Sequence, residues 1–219
     1  MKRGIVRPWA GVFLIAGLLH GADDVPPWVR EATTLTVPAT WPKTIEDYHK
    51  RIALQYGEMA KDFDAVYPVK SDADVADAYL GVLRDVAFTL QMRTWARMTY
   101  TGRSKAYLYS FSHVPPNPNS KYLRAYHAGE IAYVFDNLNP ENALIQEADH
   151  KLAQTMSAYW VNFAKTGDPN GKGLPKWTPY NTKEEPYMDF GDLVQVRNHL
   201  LKPQLDFLEQ LQKPRASAE

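Results

Sequence analysis

Residues 106–114 read AYLYSFSHV, and this stretch settles the expected fold class. Tyr107, Tyr109 and Phe111 alternate with Leu108, Ser110 and Ser112, the period of a strand. Both faces are apolar or small, so the expectation is a strand buried on two sides within an α/β sheet. Pro115-Pro116-Asn117-Pro118 ends it, because proline offers no ladder N–H.

Upstream of the strand the period is helical. Thr44 with Asp47 resembles a capping box, and Ile45, Tyr48, Ile52 and Tyr56 follow at spacings of three and four until Gly57. A short helix through Met59, Phe63, Val66 and Tyr67 should end at Pro68. Ser71 with Asp74 opens a longer one to Thr101-Gly102, with Val75, Tyr79, Val82, Leu83, Val86, Leu90, Trp95 and Met98 expected mostly on one packed face. Downstream, a long helix is expected through Leu144, Ala148, Leu152, Met156, Tyr159, Trp160 and Phe163. The Gly and Pro residues of Thr166-Gly167-Asp168-Pro169-Asn170-Gly171 should stop it. Tyr187 to Phe190 reads as a short last strand, and Pro203 as an early residue of a final helix through Leu205, Leu208 and Leu211. Roughly two or three strands against about five helices make a small sheet, and buried strands need neighbours for their ladder hydrogen bonds. The expected class is therefore α/β, helix-rich, with two or three sheet strands and part of the fold missing.

Composition removes several function classes. Across 219 residues, 25 Lys and Arg balance 25 Asp and Glu, so no net field points to nucleic acid. The absence of cysteine rules out disulfides, thiolate nucleophiles and Cys-ligated zinc. No HExxH or other histidine-ligand spacing, no GxGxxG and no GxxxxGK[ST] occurs, so no metal, dinucleotide or phosphate cofactor is implied. At the N-terminus, Lys2, Arg3 and Arg7 precede an apolar run of 11 residues, Trp9 to Leu19. Residues 1–22 have the layout of a secretory signal peptide, which would make the chain secreted or periplasmic. The alternative is an unrelated segment joined to a domain over residues 23–219. The run is too short for a stable membrane span, which needs about 20 apolar residues.

Among six histidines, His20, His49, His113, His150 and His199 read as solvated or structurally satisfied. His127 differs. It follows a strand and a polar loop, Pro115 to Arg124, and precedes Gly129 and an apolar run, in AYHAGEIAYVF over residues 125–135. On the residues alone it is either a catalytic base on a loop or a turn leading into buried structure.

AYHAGEIAYVF resembles the segment around the catalytic histidine of the type B carboxylesterases, the α/β-hydrolase family that includes cholinesterases. YWVNFAKTGDPN, from Tyr159 to Asn170, with Leu174-Pro175-Lys176-Trp177-Thr178-Pro179-Tyr180 after it, is similar to that family's C-terminal helix and turn. Tyr107 to Phe111 resembles the strand upstream of its histidine. The resemblance covers residues 31–212 and implies the C-terminal part of a carboxylesterase domain, an incomplete α/β-hydrolase fold. It implies that His127 is the general base of a serine esterase acting on an ester substrate. It further implies that Glu31, in Val29-Arg30-Glu31-Ala32-Thr33, is the acid of the triad, although Arg30 stands where the family has Asp. Glu130 is expected to hold the loop rather than act chemically.

The family's nucleophile sits in a Gly-x-Ser-x-Gly elbow. None of the serines, at 71, 104, 110, 112, 120, 157 and 217, lies in one. The expectation is a chain that is inactive alone, being part of a longer esterase. Two alternatives stand beside it: a non-catalytic secreted binding module of the same fold, and one chain of a split esterase completed by a complementary N-terminal half.

Overall fold

The computed structural model describes residues 42–101 and 104–212. The signal-like segment 1–22, Glu31 and Gly102 lie outside the described residues.

Helix α1 (Ile45–Tyr56) starts where Thr44 accepts a hydrogen bond from the Asp47 N–H at 3.2 Å, and it ends at Gly57, whose φ of 56° suits glycine. A 3₁₀ turn (Gly57–Met59) leads into α2 (Ala60–Val66). Helix α3 (Asp72–Arg84) opens with a full capping box between Ser71 and Asp74. Five residues of π-helix (Asp85–Thr89) then join it to α4 (Leu90–Thr101). Strand β1 (Tyr109–Phe111), the single turns α5 (Ser120–Leu123) and α6 (Ile131–Val134), and the long helix α7 (Glu147–Thr166) follow. Gly167 caps α7 in the left-handed region at φ 75°, its N–H bonded to the Phe163 carbonyl. Strands β2 (Pro186–Phe190) and β3 (Val194–Asn198) and helix α8 (Lys202–Gln212), with Pro203 in its first turn, complete the described fold.

The sheet order is β1-β2-β3, with β1 parallel to β2 and β3 antiparallel to it. Every residue of β2 is buried, so the central strand is the one read as last in the sequence. Strand β3 went unread, although Val194-Gln195-Val196 alternates and Gly191-Asp192-Leu193 makes a hairpin turn before it. The 106–114 stretch forms a ladder over three residues alone, all half-buried. Before them the chain is extended but bonded to a loop: the Ala106 carbonyl accepts from the Tyr180 N–H at 2.8 Å. The Leu108 carbonyl takes both the Met188 N–H and the Trp177 indole N–H. The strand is thus half-buried at the sheet edge, not buried on two sides as its pattern suggested.

Two cores result. Met156 and Tyr159 of α7 meet Met188 and Phe190 of β2 around Trp177, with Tyr107, Tyr109 and Phe111 packed against them. Ala148 is exposed, and Leu144 precedes the helix, which starts at Glu147 because Gln146 and Asp149 form its capping box. The second core joins Tyr48, Ile52, Phe63 and Tyr67 to Val75, Leu90, Leu205 and Phe207.

The π segment changes which face α4 buries. The Leu90 N–H reaches back five residues to the Asp85 carbonyl, whereas in an unbroken α-helix residues 85 and 90 would point about 140° apart. Here both are buried. Asp85 is fully buried and takes hydrogen bonds from Arg84 at 2.7 Å, Tyr67 at 3.1 Å and Thr89 at 3.2 Å. The inward stripe continues through Arg93 and Ala96, so Trp95 and Met98, expected inside, are 64% and 66% exposed. Val86 is exposed for the same reason.

Arg93 and Arg97 face Glu185, the residue before β2. Arg93 donates to both Glu185 carboxylate oxygens at 3.0 and 3.1 Å and to Asp206 of α8 at 2.6 Å, while Arg97 bridges Glu185 and Glu209. Burial pushes the Glu185 carboxyl up, but the two guanidinium groups outweigh it and hold its pKa below the usual glutamate range. A carboxyl with a depressed folded-state pKa stabilises the fold above its unfolded pKa, about 4.3, and that stabilisation is lost as pH falls. Removing one partner of a buried ion pair costs about 3–5 kcal/mol. Glu185→Gln is expected to lower urea stability near neutrality by an amount of that order and to flatten the loss of stability of the parent chain below about pH 4.3; chemical denaturation across pH 3 to 7 checks both.

Candidate functional site

The loop after β1 is built by its own side chains. Asn117 bonds the Asn119 N–H at 2.8 Å through its Oδ1, and Ser120 Oγ donates to the Pro115 carbonyl at 2.7 Å. From the next segment, Asn142 Nδ2 donates to the Pro116 carbonyl at 2.8 Å. Ser120 is thereby a loop fastener. Leu123 of α5 is buried and anchors the far end of the loop.

The chain then turns sharply around His127. Arg124 has φ 49° and Ala128 φ 68°, left-handed values that cost a side-chain-bearing residue energy and persist where the surroundings impose them. The turn is closed by the Gly129 N–H on the Tyr126 carbonyl at 3.0 Å and the Ile131 N–H on the Ala128 carbonyl at 3.2 Å. It runs straight into α6 through the Tyr133 and Val134 N–H groups, both on the Glu130 carbonyl. Gly129 is buried, and a Cβ there would lie 2.9 Å from the Tyr126 carbonyl oxygen and 3.3 Å from Pro115. Glycine is required by the close approach.

This turn presents His127 outward, and its imidazole stacks on Phe88, with ring centroids 4.5 Å apart and planes 27° apart. Phe88 belongs to the π segment, so the irregularity between α3 and α4 brings an aromatic ring to the histidine. Both residues line a cavity of about 980 Å³ between the helices and the edge of the sheet, together with Tyr109, Tyr126, Glu130 and Arg84. Glu130 lines the same cavity as Tyr109 and Tyr126. Burial first, and the Glu130 charge second, push Tyr109 up to about 12 and raise Tyr126. The expected loop-holding part of Glu130 is played by its carbonyl.

Of the residues singled out by sequence, His127 stands on this turn at the cavity, whereas Glu31 lies outside the described residues. His113 is half-buried, its Nε2 2.8 Å from Asp149 Oδ1 and its Nδ1 without a hydrogen-bond partner, so it is only partly satisfied. His49 pairs with Asp64 at 3.1 Å, and His150 is exposed on α7. His199, at φ 59°, starts the turn into α8. Among the described residues no group of three or more His, Asp or Glu side chains is arranged to hold a metal ion, and no helix is long and apolar enough to cross a membrane. Phe88 escaped the sequence reading because nothing in Ala87-Phe88-Thr89 marks a π turn.

A sequence profile described as the carboxylesterase family matches residues 33–208. Carboxylesterase 5A of Felis catus is 31% identical over 164 residues, covering 71% of this chain and 30% of its own. Fumonisin B1 esterase of Sphingopyxis macrogoltabida is 31% identical over 160 residues, covering 69% of this chain and 29% of its own. The medium-chain fatty acyl-CoA hydrolase precursor of Anas platyrhynchos is 33% identical over 143 residues, covering 64% and 25%. Among solved structures, a PNB esterase superposes on 80% of this chain and 35% of its own with a TM-score of 0.57 at 21% identity, a likeness of fold. The helices and mixed three-stranded sheet correspond to part of an α/β-hydrolase fold. The chain spans 30% of the length of the feline relative.

The turn yields a direct test. Gly129→Ala is expected to destabilise the chain by about 1–3 kcal/mol, the cost of overpacking a tight site. Its amide exchange should speed up most at residues 128–134, as read by hydrogen exchange with mass spectrometry.

Proposed function

This chain belongs to the carboxylesterase family, and on that premise we propose that it serves a carboxylic-ester hydrolase in which His127 is the general base. The observation that supports this reading is the presentation of His127. A strained, glycine-dependent turn holds it in the lining of a cavity of about 980 Å³, with its ring stacked on Phe88. A surface histidine without a task needs none of these constraints.

In this reading a serine hydroxyl attacks the ester carbonyl and gives its proton to His127, which returns it to the departing alcohol. Water then enters by the same route and releases the acid. Glu31 accepts a hydrogen bond from the far side of the imidazole, fixing the tautomer and stabilising the imidazolium. The 219 residues contain no Gly-x-Ser-x-Gly, so the serine and the backbone donors for the oxyanion come from polypeptide outside this sequence. Residues 1–22 act as an export signal. The position of β1 at the end of the sheet, among the described residues, favours completion by a further strand over a free-standing binding module.

Loss of the triad serine costs on the order of 10⁶ in kcat in a serine protease. The purified chain is therefore expected to show little or no hydrolysis of p-nitrophenyl esters. Co-expression with a family segment carrying the serine elbow should restore hydrolysis, and His127→Ala should abolish it. Hydrolysis by the chain alone that depends on His127 would overturn the external nucleophile. Complemented activity indifferent to His127→Ala would overturn the base.

A further inference from the structure

Behind the His127 turn, two side chains and one backbone N–H converge on the carboxylate of Asp149. Tyr133 of α6 donates its hydroxyl to Asp149 Oδ1 at 2.8 Å, and His113, two residues past β1, reaches the same oxygen through Nε2 at 2.8 Å. Asp149 Oδ2 accepts the Gln146 N–H at 2.9 Å and completes the capping box of α7. Since an ionised carboxylate only accepts, Nε2 of His113 carries the proton. The cluster is enclosed: Tyr133 is 1% exposed, and the His113 and Asp149 side chains are 14% and 6% exposed. The Tyr133 ring packs against Phe111 and His113 at 5.4 and 5.3 Å.

The cap alone would need only Oδ2. The two donors on Oδ1 do something else: they tie the end of β1 and the start of α7 to the short helix that directly follows the His127 turn. Because the turn and α6 share one run of hydrogen bonds, from the Gly129 N–H to the Val134 N–H, fixing Tyr133 fixes the frame from which His127 projects. Phe88, on the other side of the imidazole, comes from a separate element, so the stack forms only if that frame is correctly set.

We propose that Tyr133, Asp149 and His113 position His127: the shared carboxylate locks the turn in the orientation that stacks the imidazole on Phe88. None of the three would touch a substrate, and the meaning of the device for catalysis rests on the base role of His127. Its test does not. In the full chain with labelled histidine, the Phe88 ring should shield the His127 ring protons, the signal being assigned with His127→Gln and the full displacement defined by Phe88→Leu.

Tyr133→Phe, which removes one hydroxyl and keeps the ring, is expected to lose most of that displacement, and Asp149→Asn likewise. The control is Tyr159→Phe, whose hydroxyl bonds the Pro175 carbonyl within the same core. It should leave the displacement unchanged despite a comparable drop in Tm. Should Tyr133→Phe fail to fold by circular dichroism, His113→Asn is read by the same signal. A displacement that survives in the folded variants to the same degree as in Tyr159→Phe overturns the proposal. Loss of the base role would show instead as complemented hydrolysis indifferent to His127→Ala.

Discussion

The burial of the Glu185 carboxylate is the constraint on which the rest of the fold is hung. It sits at φ 43° directly before the fully buried β2, receives Arg93 and Arg97 from α4, and closes the β2-β3 hairpin through the His199 N–H on its carbonyl. Without donors, an ionised carboxylate at this depth would be costly. With them, the helical layer can meet the sheet in one orientation, because the fork of Arg93 has to reach both Glu185 and Asp206. Apolar packing alone is less discriminating. The charge network joins the helical core around Phe63, through α4 and α8, to the aromatic core around Trp177, through Glu185 before β2.

The candidate site sits where those two layers face each other. Its histidine comes from the sheet side, on a turn that follows β1, while the ring it stacks on comes from the helical side. Its geometry therefore depends on the distant ion network as well as on the local turn. That dependence explains how an exposed imidazole can have a defined plane: rotation is limited by Phe88 in front and by the locked turn behind.

Helix ends, the glycine stops and the long amphipathic helices were legible in the sequence because their signals are local. Ser71 with Asp74, Gly57 and Gly167 each act within one turn of themselves. The family was legible in AYHAGEIAYVF and YWVNFAKTGDPN, and the family profile over residues 33–208 agrees with it. What stayed hidden is non-local. The shortness of β1 follows from Trp177 and Tyr180 claiming carbonyls about seventy residues away in the chain, and the outward turn of Trp95 and Met98 follows from Asp85 needing three donors. The convergence of His113, Tyr133 and Asp149 likewise joins residues that no short pattern links.

The π segment between α3 and α4 makes chain length itself a structural variable. Deleting one residue from Asp85–Thr89 would give a helix with a more regular hydrogen-bond repeat and leave α3 and α4 on nearly their present faces, because five residues to a π turn and four to an α turn bring the chain back to about the same side. What the deletion would remove is the widened turn that carries Phe88 to the imidazole. A substitution at Asp85, by contrast, would leave three donors without their acceptor at once. The extra residue thus serves the candidate site more than the packing of the two layers.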